Sequence, residues 1–301
     1  MDLKKKILLT GGSGFIGTKL SQRLLKSGYI VHVVDLVEPR IKDPDLFFTK
    51  LNLFKDRLPD SMDGELHSII HLAGKNIFGR WTKKFMDGVY RSRIESTKRI
   101  VETVSDWKQK PSSFISASAF GYYGNKIEKR LDESADAGTD FLSKVCKDWE
   151  DESKKLNEYG VRTVQIRTSH VVGRGGLLAP LFVPFKFGLG AWIGTGKAWF
   201  PWVHIDDICA IYQFAVETEA LSGPVNTAAP EVVRQKEFMK QFGDSQNRRV
   251  LFSLPIWLLR LRYGKLAETF NNSARISSKK LLDAGFTFRF PELKQSLDAV
   301  V

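Results

Sequence analysis

Eight residues near the N-terminus constrain this chain more than any other stretch: Thr10-Gly11-Gly12-Ser13-Gly14-Phe15-Ile16-Gly17. They lie between an apolar run that reads as a strand, Lys6 to Leu9, and an amphipathic run that reads as a helix, Gly14 to Ser27. Glycines at the first, fourth and seventh positions suit a strand–turn–helix unit. Gly11 permits the tight turn, Gly14 lets a ligand approach the backbone, and Gly17 lets the helix close on the strand. A helix that starts there offers unpaired N–H groups and a partial positive charge to a phosphate. The next strand candidate, Ile30 to Val34, runs into Asp35, an acid placed to accept hydrogen bonds from ribose hydroxyls. The pattern predicts a dinucleotide site formed by Gly11, Ser13, Gly14, Phe15, Ile16, Gly17 and Asp35. The Asp35 charge repels a 2′-phosphate and so favours NAD, while Arg40 and Lys42 keep NADP open.

The alternation continues. Strand candidates at Ser68 to Leu72, Ser113 to Ser116 and Arg162 to Arg167 are separated by helix candidates at Phe85 to Val104 and Phe141 to Tyr159. That order predicts the α/β class: a Rossmann doubly wound parallel sheet with a smaller C-terminal substrate lobe. His71-Leu72-Ala73-Gly74 ends a strand at the same carboxyl edge, which adds Leu72, Ala73 and Gly74 to the cofactor neighbours and leaves His71 as a packed histidine or a catalyst. Residues 1–168 are expected to form the Rossmann domain, completed by about 203–228, where a helix at Ile205 to Val216 and a strand at Val225-Asn226 return to it. Residues 169–202 and 229–301 make the substrate-binding lobe. Its glycines and aromatic residues between Gly173 and Trp202 suit mobile loops with flat apolar surfaces. Near its end, Pro255 to Leu261 reads as an amphipathic helix, packed on its own lobe or contacting a lid or another subunit.

Composition excludes other classes. With 301 residues, 43% of them hydrophobic, the chain can bury a large core. The net charge of +12 is scattered among acidic residues, which argues against a nucleic-acid partner. Cys146 and Cys209 are too far apart for a metal site or a disulfide framework, so a reducing cytoplasm without a bound metal is expected. No apolar run reaches the roughly 20 residues of a membrane span, and the basic start followed by Ile7-Leu8-Leu9 reads as a first strand rather than a signal peptide. The expected partners are a dinucleotide and a small molecule, with no membrane, in a monomer or homodimer.

Further stretches carry a resemblance: Arg80-Trp81-Thr82, Ser92-Arg93-Ile94 with Thr97, Ser116 to Gly124, Trp149-Glu150, Gly188-Leu189-Gly190, Trp202 to Asp207, Asn226 to Pro230 and Ala284-Gly285-Phe286. Over nearly its whole length the chain resembles the extended short-chain dehydrogenase/reductases, and within them the epimerase-like group with its own C-terminal domain. The resemblance implies hydride transfer between a nicotinamide and a carbon bearing oxygen. It also implies a serine, a tyrosine and a lysine four residues after it. Such a tyrosine starts from a pKa near 10, and lowering that to about 7 asks for roughly 4 kcal/mol of preferential stabilisation, which the lysine provides.

Here the pattern departs from the superfamily. Counted back from Glu150, the tyrosine position is Leu142 and the lysine position is Cys146, and Lys144 and Lys147 point away from that face. Ser118 matches the superfamily's serine, and Tyr122 is either a substitute proton donor or a structural residue beside Tyr123. Arg93 stands where relatives carry an asparagine, and either binds an anionic group or pairs with a nearby carboxylate. Cys146 is a packed thiol or a nucleophile, and Asp207 is expected to cap the helix that follows it. Two functions follow. One is an NAD(P)-dependent oxidoreductase or epimerase-like enzyme for a small carbonyl, hydroxyl or sugar-nucleotide-like compound, with Ser118, Tyr122 and Arg93 at the reacting oxygen. The other is a non-catalytic dinucleotide-binding redox sensor or interaction protein.

Overall fold

Ile7, Leu8 and Leu9 are completely buried, so both faces of their strand are covered, as a central strand between helix layers requires. In the computed structural model, which describes residues 4–176 and 178–301, they sit within β1 (Lys6–Thr10). The other strands of its sheet are β2 (Ile30–Asp35), β3 (Leu46–Lys50), β4 (Ser68–His71), β5 (Ser113–Ala119), β6 (Arg162–Thr168) and β7 (Gly223–Asn226). All neighbours are parallel, in the order β3-β2-β1-β4-β5-β6-β7. The order reverses between β1 and β4, which opens a crevice at their carboxyl ends where ligands bind in such sheets.

The helix α1 (Phe15–Lys26) and the later helix Ile205–Glu217 cover one face, burying Leu20, Leu24, Ile208 and Ile211 against Ile7, Leu9, Val31 and Val33. On the other face α2 (Lys83–Asp106) buries Ile100, Val101 and Val104 against Leu8, Ile69 and Phe114, with α3 (Phe141–Lys154) alongside it. The helix Ile205–Glu217 is α4. A second core gathers Phe185, Trp202, Phe238, Phe242, Leu293 and Leu297, built around α5 (Gln235–Ser245). Short parallel pairs tie this lobe together: His170–Val172 with Trp202–His204, and Ala191–Ile193 with Phe252–Leu254.

Three elements differ from the sequence reading. The edge strand β3 was not expected, because Phe47 faces solvent and its five residues show no clear alternation of apolar and polar side chains. The third helix gives way at Lys155 to a 3-10 turn closed by Gly160 at φ +78°. The C-terminal helix, α6 (Ile256–Tyr263), is only partly packed on its own lobe: Ile256 lies by Gly194 and Tyr263 meets Phe270 edge-on at 5.6 Å, while Trp257 and Leu261 face solvent.

The fold depends on how closely α1 backs onto the turn. A Cβ placed on Gly17 would meet the Gly11 carbonyl oxygen at 2.2 Å, whereas one on Gly14 would meet only that oxygen, at 3.3 Å. Gly17→Ala is therefore expected to lose roughly 1–3 kcal/mol of stability, and Gly14→Ala much less. Urea denaturation of the two variants side by side checks this, and equal losses would contradict it.

Candidate functional site

Gly11, at φ +73°, turns the chain out of β1 and donates its N–H to the Val34 carbonyl at 3.1 Å. The Gly14 N–H returns to the Gly11 carbonyl at 3.1 Å, and α1 starts at Phe15 with Gly14 as its cap. No side chain caps this end and no acidic residue lies in its first turn, so the amides that follow Gly14 are left for an anion. The half-buried Asp35 carboxylate accepts the Ser13 N–H at 3.0 Å and the Leu36 N–H at 2.7 Å. It fixes the turn and also puts a negative charge at its mouth.

Behind the turn, the Thr10 hydroxyl bonds His71 Nδ1 at 2.6 Å and receives the Ala73 N–H at 3.4 Å, and Leu72 and Ala73 lie against Gly11. His71 itself is completely buried between Phe114 and Trp149. Burial, with Arg93 nearby, pushes its pKa down to about 3, so at neutral pH it is an uncharged packing residue.

Beyond Gly74 lies Arg93 on α2. Its Nη1 donates to the carbonyls of Lys75 at 3.0 Å and Val89 at 3.1 Å, and its guanidinium carbon sits 5.2 Å from the Trp149 ring centre. A Cβ on Gly74 would stand 3.3 Å from that carbon. Among the described residues no carboxylate pairs with it, so the structural ion pair considered from sequence is excluded. Burial lowers its pKa below the ordinary arginine value, as expected for a cation short of counter-charge.

On α3, Leu142 and Cys146 face Gly121, the sulfur 3.9 Å from where a Cβ on that glycine would be. The two α3 positions where the resemblance led one to expect a tyrosine and a lysine thus carry an apolar side chain and a thiol beside Gly121. Burial, and then Glu150, push the Cys146 thiol up to about 12, so it is not a nucleophile at neutral pH. Lys144 and Lys147 point outward and pair along the helix with Asp148 at 2.6 Å and Asp151 at 2.5 Å.

Ser118 does not present its proton to the cleft. It is buried and donates to Glu150 Oε1 at 2.7 Å. Glu150 is gripped in turn by Arg167 Nε at 2.8 Å and Nη2 at 2.9 Å. Arg167 Nη1 donates to the Tyr123 hydroxyl, and that hydroxyl donates to Asn226. One polar network therefore spans β5, β6, β7 and α3. Sequence reasoning missed it, although an arginine and a glutamate inside apolar runs were a readable signal. Tyr122 lays its ring over the Arg167 guanidinium, 3.5 Å from ring centre to carbon, and its hydroxyl has no partner among the described residues.

Sequence reasoning also passed over His170, two residues beyond β6. Its ring stacks on Phe200 at 4.0 Å and meets Phe120 edge-on at 4.6 Å, and burial lowers its pKa to about 3. Asp207 is not the cap of α4. His204 holds that place, accepting the Asp206 N–H at 3.1 Å, while Asp207 accepts the Arg289 and Phe290 N–H groups at 2.8 and 3.0 Å and anchors the C-terminal segment.

Residues 7–227 match the NAD dependent epimerase/dehydratase family, and residues 254–300 match a domain of unknown function, DUF1731. The chain is 32% identical to the epimerase family protein YfhF of Bacillus subtilis over 98% of this chain and 97% of that one. It is 31% identical to the human epimerase family protein SDR39U1 over 98% and 99%. The crystal structure of human SDR39U1 (isoform 2) with NADPH superposes with a TM-score of 0.87 at 30% identity, covering 98% of each chain. The fold also matches the UDP-glucose 4-epimerase of Thermus thermophilus bound to NAD, at a TM-score of 0.76 and 17% identity over 97% and 98%.

Three imidazoles, the buried His71 and His204 and the half-buried His170 stacked on Phe200, set a pH dependence. His71 and His170 are held to about 3 and His204 to about 4, each mainly by burial, against 6.5 when exposed. Below pH 6.5 the unfolded chain binds protons that the folded chain refuses. Stability is full above that pH and falls as pH drops, with a slope approaching about 1.4 kcal/mol per pH unit for each histidine. Melting temperature is expected to fall steadily from pH 7 to pH 5. His170→Phe, which keeps a ring between Phe120 and Phe200, should make the fall shallower by about one histidine, and an unchanged slope would contradict the assignment.

Proposed function

Because the chain belongs to the NAD dependent epimerase/dehydratase family, we propose that it is a nicotinamide-dinucleotide-dependent oxidoreductase or epimerase-like enzyme in which Arg93 supplies the positive charge at the reacting oxygen. The substrate is a small carbonyl or hydroxyl compound, sugar nucleotides included. The observation that carries this reading is a half-buried guanidinium next to Gly74 with backbone carbonyls but no carboxylate around it. A partly buried cation without counter-charge is stabilised when an anion or a developing oxyanion completes it.

The turn residues fit a dinucleotide. The uncapped start of α1 and the open side of Gly14 suit a diphosphate, with Gly11, Ser13, Gly14, Phe15, Ile16 and Gly17 around it. Asp35 retains lone pairs for ribose hydroxyls, and Leu72, Ala73 and Gly74 offer a small-residue wall. When bound, the dinucleotide gives or takes the hydride. Arg93 binds the substrate oxygen, or a carboxylate or phosphate beside it, and stabilises negative charge there. Of the two hydroxyls first considered, Tyr122 is free to hand over a proton, whereas Ser118 can only accept while it donates to Glu150.

The fixed charge of Asp35 favours NAD. The NADPH carried by the human relative supports the opposite choice, with the exposed Arg40 and Lys42 available to a 2′-phosphate. The missing tyrosine and lysine favour a second reading, a dinucleotide-binding sensor without turnover.

One set of measurements separates these. Calorimetric titration of the parent chain with NADH and NADPH is expected to show tighter NADH binding, and Asp35→Asn to shift the ratio toward NADPH about tenfold. Arg93→Ala should leave dinucleotide binding within about twofold while turnover across a panel of carbonyl substrates falls roughly 100- to 1000-fold. Undiminished turnover removes Arg93 from the chemistry. Tight binding with no turnover of any substrate by the parent selects the sensor.

A further inference from the structure

Apart from the dinucleotide site, the smaller lobe carries an apolar face that nothing in the chain covers. The parallel pair Ala191–Ile193 and Phe252–Leu254 sets the turn containing Phe187 and Leu189 beside Leu251 and Phe252. Pro255 then leads directly into α6, with Trp257 and Leu261 on it. Exposure of these six side chains runs from 58% for Phe252 to 72% for Phe187. A soluble surface scatters such residues singly, and grouping them in one place marks a contact face.

The charges beside the face have one dominant sign. Lys186, Arg248, Arg249, Arg260 and Arg262 are all exposed. Arg248 Nε reaches the Lys186 carbonyl at 3.0 Å, which joins the two basic segments, and Glu268 offsets Arg260 at 3.1 Å. We infer that this face docks on an anionic lipid surface, with Trp257, Leu261 and Phe187 entering the headgroup boundary and the flanking arginines meeting lipid phosphates. Trp257 and Leu261, one turn apart on α6, turn the same way into solvent beside the exposed Arg260 and Arg262, the residue types that meet a headgroup boundary. A second copy of the chain fits less well, since pairing would set the same arginines against one another on chains that each carry +12. No helix among the described residues is long and apolar enough to cross a membrane, so the contact lies at the surface. The inference revises the sequence expectation of no membrane partner.

The face has a functional neighbour. The Trp81 N–H donates to the Tyr263 carbonyl at the end of α6, at 3.2 Å, and the Trp81 ring meets Phe141 at the head of α3 at 5.3 Å.

The test uses the full chain with vesicles of phosphatidylcholine, with and without about one-third phosphatidylglycerol. Co-sedimentation is expected with the anionic vesicles, weakening as salt rises, and absent with phosphatidylcholine alone. Trp257→Glu with Leu261→Glu should weaken it about tenfold or more, and Arg260→Gln with Arg262→Gln by several-fold. Melting temperature and dinucleotide titration verify that each variant is folded. Sedimentation equal in all variants, or absent from anionic vesicles, overturns the inference. So does a lipid-free dimer of the parent chain that the Trp257→Glu, Leu261→Glu variant dissociates, since the face is then an interface between copies.

Discussion

The contact on which the structure depends is the approach of α1 to its own turn, where Gly17 backs against the Gly11 carbonyl and the Asp35 carboxylate ties the Ser13 amide to the end of β2. That closure fixes the start of α1, so the helix amides open over the crevice between β1 and β4 instead of over a neighbouring loop. It also brings Leu72 and Ala73 against Gly11, so that three strand ends share one wall. The same carboxylate holds the turn through the Ser13 and Leu36 amides, so a substitution at Asp35 that removes its acceptor oxygens loosens the turn.

A second constraint lies across the crevice. Burying Glu150 and Arg167 is costly, and removing either partner alone would strand a charge, so the pair persists only as a satisfied unit. Ser118, Tyr123 and Asn226 supply that satisfaction, which ties β5, β6 and β7 to α3. Ser118, expected from the sequence to face the reacting oxygen, donates its proton into this network instead.

Legibility followed from how local each signal was. The turn, Asp35 and the alternation of strands and helices are properties of consecutive residues, so the parallel sheet could be read directly. The strand β3 could not, because an exposed edge relaxes the pattern that identifies a strand. Helical geometry on α3 correctly sent Lys144 and Lys147 outward, since a 100° step needs no tertiary knowledge. The partners of Ser118, Arg93 and Asp207 lie on other elements, and only the folded chain decides them. Asp207 looked like a helix cap because it begins a helix in sequence, but the backbone of Arg289 and Phe290 claimed it.

Taken together, Arg93 and Cys146 describe a relocation of charge. The α3 position where the sequence resemblance led one to expect a lysine is a protonated thiol, while an arginine on α2 is directed toward Gly74 and lacks a carboxylate. A cation so placed stabilises an anion without lowering a tyrosine pKa, because no tyrosine occupies the α3 face beside it. A phenol that gives up a proton here would have to come from Tyr122 on the loop after β5, not from α3. The two features lie on different elements: the uncapped start of α1 and the Asp35 carboxylate at the end of β2 on one side, and the apolar Leu142 and the protonated Cys146 on α3 on the other.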